Sequence, residues 1–159
     1  MDYIQLKPSS VKKFGIKTAD GVDTGEYIEI DPEDLELPQK ADICNKKHEE
    51  NIRELNNQRI IISKKEDHKA KGELYSDNEK ALMKAVQEFY KKEEEALDEF
   101  IGKGGTKKLL AGRKPYISML EDINEYMKQI VPVLKESHEN LIDGIKTKYS
   151  QKNEEDNVI

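Results

Sequence analysis

Gly102-Lys103-Gly104-Gly105-Thr106-Lys107-Lys108-Leu109-Leu110-Ala111-Gly112-Arg113-Lys114-Pro115 separates two long helical patterns within residues 78–145, and this break decides how the chain is read. Its glycines stop one helix and give the next its own direction. On the near side, Ser76 is a helix N-cap and Glu79, three residues on, completes a capping box. Leu82, Val86, Phe89, Leu97 and Phe100 then share one face, with Glu93 on the same stripe; the run Lys91-Lys92-Glu93-Glu94-Glu95 reads as a solvated flank. On the far side, a helix is expected from about Pro115 to about Tyr149. Leu120, Ile123, Met127, Ile130, Leu134, His138, Leu141 and Ile145 recur every three or four residues there, the best-ordered stripe in the chain. Pro132 lies inside it, removes a backbone donor and should bend the helix.

Towards the N-terminus a third helix is expected over about 39–67. Ala41, Cys44, His48, Ile52, Leu55 and Ile62 lie on one face, and Gly72 is a stop beyond a polar linker. Asp31-Pro32-Glu33-Asp34-Leu35 has the chemistry of a brief helical start, which Pro38 should end. Residues 1–30 carry strand signals. Tyr3-Ile4-Gln5-Leu6-Lys7 alternates, Phe14 and Ile16 share a face, and Glu26-Tyr27-Ile28-Glu29-Ile30 reads as a strand closing a hairpin across a loop at 19–25. The fold class is therefore mainly α: an N-terminal β-hairpin, then three long amphipathic helices with a glycine-rich hinge between the last two. The chain divides into a hairpin region at 1–30, a helical region of the same single domain at 31–150, and a polar, acidic tail at 151–159 expected to be disordered.

The composition points to contact as the working principle. Of 159 residues 35% are hydrophobic and 38% charged, against roughly 25% charged in an average domain. Such a chain suits an elongated helical protein that finishes its burial against a partner or a copy of itself. The net charge of −6 argues against general phosphate-backbone binding. Lys103, Lys107, Lys108, Arg113 and Lys114 form a local basic cluster whose simplest reading is a solvated hinge. The longest aliphatic run, Ile60-Ile61-Ile62, is far short of a membrane span, and no secretory signal is seen.

No reaction centre assembles from the motifs. Asp20 to Asp31 only faintly matches a calcium loop: Val22 at the third place offers no oxygen ligand, Thr24 stands at the fifth, and Asp31 stands where a bidentate Glu is needed. The glycines at 102–105 follow a helix and lack the Gly-Lys-Thr triplet of a phosphate loop. Cys44 is the only cysteine, so neither an internal disulfide nor a multi-cysteine zinc site is available. Cys44 and His48 stand four apart, but two ligands do not fill a tetrahedral zinc site. His48 and His138, both on apolar stripes, read as packing histidines. No cofactor, no metal and no catalytic residue is expected.

The order of these features resembles the small tail assembly chaperones of tailed phages and prophages of Gram-positive bacteria. The hairpin carries Asp23-Thr24-Gly25 and leads to Asp-Pro-Glu-Asp-Leu-Glu-Leu-Pro at 31–38. Phe100-Ile101-Gly102 and Leu109-Leu110-Ala111-Gly112-Arg113-Lys114-Pro115 follow, then one long helix and a polar tail. The resemblance covers roughly residues 14 to 150. It implies a non-enzymatic, homo-oligomeric protein of virion morphogenesis in the bacterial host cytoplasm. Such a protein binds the long, aggregation-prone tape measure protein, keeps it soluble while the tail tube polymerises, meets the tail tube protein in some cases, and touches neither nucleic acid nor membrane.

Two other classes stand beside this one: a structural component of a phage tail or particle, such as a tube, adaptor or completion protein, and an enzyme or regulatory binder whose site the sequence does not display. Retention in purified particles distinguishes the first of these from a chaperone. The candidate partner-binding residues are Met127, Ile130, Leu134 and Leu141, on the most regular stripe.

Overall fold

A computed structural model describes residues 1–156, with side chains to 150. Of the tail expected at 151–159, residues 151–156 continue the last helix and 157–159 lie outside the described residues. The protein is mainly helical, with a two-stranded antiparallel hairpin at its N-terminal end and four helices among the described residues. Strands β1 (Lys12–Lys17) and β2 (Asp23–Ile30) are followed by α1 (Leu37–Ser63), α2 (Asp77–Ile101), the short α3 (Gly105–Leu109) and α4 (Met119–Asp156). The chain divides into two compact units. One joins residues up to Leu37 with α4 from Leu120 onward, and the other is Pro38–Met119.

In the first unit, Phe14 pairs with Ile28 and Lys12 with Ile30. Ile28 and Ile30 are buried, and Phe14 and Ile16 are half-buried. A two-stranded hairpin alone is marginal in water, so its apolar face needs cover. This explains why the unit takes in α4 rather than ending at the strand-to-helix boundary near residue 30. His138 Nδ1 donates to the Pro32 carbonyl at 3.3 Å, fixing α4 beside the exit from β2. The α4 stripe falls where its spacing puts it: Ile123, Ile130 and Leu134 are buried, while Met127, His138, Leu141 and Ile145 are half-buried. Each full burial of an Ile or Leu contributes about 1.5–3 kcal/mol. The helix continues through Pro132.

In the second unit α1 and α2 run antiparallel. Lys47 meets Glu99 at 2.6 Å, His48 meets Glu93, Glu54 meets Lys92 at 2.7 Å, and the Lys65 carbonyl accepts from Asn78. The capping box at Ser76 and Glu79 is present as the sequence indicates. Gly102 ends α2 at φ 100, with its N–H on the Asp98 carbonyl.

Several elements differ from expectation. Tyr3 to Lys7 forms no strand and is exposed. Its alternation is real, but among the described residues no strand pairs with it. Pro38 does not end a helix; it sits in the first turn of α1, where its missing N–H costs nothing. That helix stops at Ser63 rather than near 67, through tight turns from Lys64 to Ile61 and Lys65 to Ile62. The hinge contains α3, and α4 begins at Met119 rather than near Pro115.

Candidate functional site

The hinge is built around one carboxylate. Asp98 Oδ1 accepts from the Thr106 N–H at 2.9 Å and from its hydroxyl at 2.7 Å, while Oδ2 accepts from the Gly104 N–H at 3.0 Å. Thr106 is fully buried, so these bonds satisfy donors that water cannot reach. Gly105 packs so closely that an added Cβ would lie 2.7 Å from Ile101 Cγ1. The glycine-rich segment is thus a clamped connection, and its amides already serve Asp98. Of the basic cluster, Lys103, Lys107, Arg113 and Lys114 are exposed, Lys108 is half-buried, and Lys107 stands 3.9 Å from Glu94.

The seam between α1 and α2 holds the other polar centre. Glu93 is only 8% exposed, so it is no part of a solvated flank. His48 Nδ1 lies 2.6 Å from its Oε2, and Asn51 Nδ2 donates to its Oε1 at 2.8 Å. The helical rotation places residue 93 between Phe89 and Ala96, both buried, so the carboxylate faces α1 and the lysines beside it face water. Cys44 precedes His48 by one turn, so a thiol, an imidazole and a carboxylate follow one another along the seam. A nucleophilic thiol requires a lowered pKa. Here burial pushes the Cys44 thiol up, and the charges of Glu93 and Glu99 push it further. The arrangement serves helix pairing.

The four residues singled out on α4 do not share one exposure. Ile130 and Leu134 are buried within the single chain, whereas Met127 and Leu141 are half-buried. Met127 also lines an open trough of about 790 Å³ with Val131, Pro132 and the acidic Glu121, Asp122 and Glu125.

Exposed apolar side chains also lie at one end of the α1–α2 pair. Ile60 and Ile61 near the end of α1 are 52% and 48% exposed, and Leu82 and Met83 near the start of α2 are exposed as well. Gln58 and Ala85 line one small gap between these helices, which places the four side chains at the same end of the pair. Leu74 and Tyr75, just before the Ser76 cap, add to that end. The sequence signal was the run Ile60-Ile61-Ile62. Three consecutive residues on a helix span about 200°, more than one buried face, so some must face outward. Only Ile62 is buried.

Among the described residues no group of three or more His, Cys, Asp or Glu is placed to hold a metal ion, and no helix is long and apolar enough to cross a membrane. Comparison with family models, with curated proteins and with solved structures gives no match for this chain.

Proposed function

We propose that the chain is a tail assembly chaperone of tailed phages or prophages of Gram-positive bacteria, which binds the tape measure protein and keeps it soluble during tail tube assembly. The order of hairpin, acidic segment, hinge and closing helix resembles that family. The observation that carries the reading is the apolar end of the α1–α2 pair, with Ile60, Ile61, Leu82 and Met83 exposed on otherwise charged helices. Exposed apolar side chains at one end of a helix pair suit contact with another protein. Helical clients dock such surfaces through their own apolar faces, and Met83 supplies a side chain that repacks easily. The surrounding charge keeps the complex in solution.

The test is co-expression with a tape measure protein from the same genome. The client should move from the pellet to the soluble fraction and co-purify with this chain. A client equally insoluble with and without it would overturn the proposal. Retention of the chain in finished particles would favour the structural-component reading instead.

A further inference from the structure

Charge is spread unevenly along α1. From Leu55 to Lys65 the chain carries Arg59, Lys64 and Lys65 and no acid, although its net charge is −6. All three are exposed, and among the described residues their side chains hold no ion pair or hydrogen bond. The acids at the same end of the α1–α2 pair are mostly in use. Asp67 Oδ1 accepts from the Asn78 N–H at 3.0 Å, Glu73 meets Lys80 at 3.0 Å, and Glu79 Oε2 accepts from the Ser76 N–H at 3.2 Å. Among the described residues, Glu66 and Asp77 are left to offset the three cations and the linker's Lys69 and Lys71. The free charge at this end is therefore positive.

These cations border the exposed isoleucines. Lys64 follows Ile60 by four residues and Ile61 by three, and Lys65 follows Ile61 by four. The Lys64 N–H bonds the Ile61 carbonyl and the Lys65 N–H the Ile62 carbonyl, so the turning path of α1 carries on to both lysines. Residues three and four apart on such a path are neighbours. We propose that this end of the α1–α2 pair receives an acidic amphipathic helix of a partner protein. Its apolar face meets Ile60, Ile61, Leu82 and Met83, and its carboxylates meet Lys64, Lys65 and Arg59. This rests on the reading of that end as the client surface and adds the charge and form of the client segment.

The charge of the partner follows from the rim. Unpaired cations beside an apolar contact favour carboxylates, and a basic helix would set like charges side by side. Its form follows from the surface it meets. The backbone groups of α1 and α2 are used inside their helices, and β1 and β2 belong to the other unit. An extended segment finds no sheet edge here, so recognition runs through side chains. A helix lines these up on one face every three to four residues, with its charges on the flanks.

The probes are two labelled synthetic amphipathic helices with the same leucine face, one with glutamate and one with glutamine on the polar face, titrated with the full chain by fluorescence anisotropy. The glutamate peptide should bind about tenfold more tightly, against the chain's net charge of −6, and added salt should shrink that preference. Lys64→Glu/Lys65→Glu should abolish the preference and Lys64→Gln/Lys65→Gln should reduce it; where the glutamate pair costs the fold, the glutamine pair carries the test. Lys146→Glu/Lys148→Glu, at exposed residues of α4, makes the same change in net charge and should leave the preference intact. Ile60→Ser/Ile61→Ser should weaken both peptides alike. No binding of either peptide, equal binding of the two, or an equal loss of preference in the α4 variant would each overturn the proposal. Client rescue is read separately. Rescue without a glutamate preference defeats this proposal alone, and a glutamate preference without rescue defeats the chaperone reading alone.

Discussion

His48 Nδ1 lies 2.6 Å from Glu93 Oε2, and this single contact places an imidazole–carboxylate pair in the seam where α1 meets α2. Glu93 also accepts from Asn51 at 2.8 Å, so both carboxylate oxygens are used. A buried carboxylate with two partners specifies which helical positions face each other, because any slip leaves it unpaired.

Removing the carboxylate should therefore cost more than neutralising it. Glu93→Ala strands the Asn51 donor and opens space, and should lower unfolding free energy by about 2–3 kcal/mol. Glu93→Gln keeps an acceptor for Asn51 and can donate to His48, and should stay within about 1 kcal/mol of the parent. Urea unfolding at neutral pH measures both. Equal losses would show that packing, not hydrogen bonding, dominates the position.

Cys44 should be a slow thiol. Burial, then the charges of Glu93 and Glu99, hold its pKa above the ordinary 9.0. Only the thiolate alkylates, so the reaction with iodoacetamide at pH 8 should lag that of a free cysteine, and its pH midpoint should exceed 9.0. Glu99→Gln removes one of the acidic charges and frees Lys47, so the midpoint should move down. An unchanged or higher midpoint would contradict the electrostatic assignment.

Acid should weaken the start of α2. The Asn78 N–H bonds Asp67 Oδ1 at 3.0 Å and holds that carboxyl below its ordinary 3.8, with the Ser76 hydroxyl adding to the effect. A depressed folded-state pKa stabilises the fold above the unfolded value, and that stability is lost as pH falls through the folded value. The parent should thus exceed Asp67→Asn in stability at pH 7, and the difference should close below 3.8. Glu73, held low by its Lys80 partner, titrates in the same sense, so the variant removes only part of the acid response. Denaturant midpoints across pH 2–7 test the sign.

The α4 stripe shows how much of the fold was legible in the sequence. Leu120 to Ile145 kept one helical period, and its buried members are those the period selects, because a single long face has one way to turn inward. The hairpin was readable from Phe14, Ile16, Ile28 and Ile30 for the same reason at a period of two. Glu93 was harder to read. Its place on the stripe pointed inward and its charged neighbours pointed outward, and only the presence of His48 and Asn51 on α1 decides between them. The exposed end at Ile60, Ile61, Leu82 and Met83 was harder still, since periodicity records which residues turn inward and not where a pair of helices runs out of partner. Asp98 as the clamp of the hinge depended on Thr106, whose turn no local pattern announces.

Leu134→Ala separates core from contact on α4. Leu134 is 4% exposed, so truncation should cost about 2–5 kcal/mol of folding stability. Val131→Ala and Val133→Ala, on the exposed side, should each stay within about 0.5 kcal/mol. Thermal unfolding of dilute samples measures all three. A Leu134→Ala protein as stable as its parent would return that residue to the list of intermolecular contacts.

The apolar end of the α1–α2 pair makes the sharpest functional prediction. Ile61 and Met83 are exposed, so Ile61→Asp/Met83→Asp should fold with a stability within about 1 kcal/mol of the parent. If this end holds the client, two charges placed in the contact should abolish rescue, because each must be desolvated without a partner when the client docks. Asn45→Asp/Asn140→Asp, at two exposed neutral residues away from this end, adds the same two negative charges and controls for net charge. Co-expression solubility of the tape measure protein is read beside thermal unfolding of the purified chain. Loss of rescue with an intact fold, and only for the patch variant, is the expected result. Full rescue by the patch variant would remove this end of the helices from the binding surface and leave the trough beside Met127 and Val131 as the place to look.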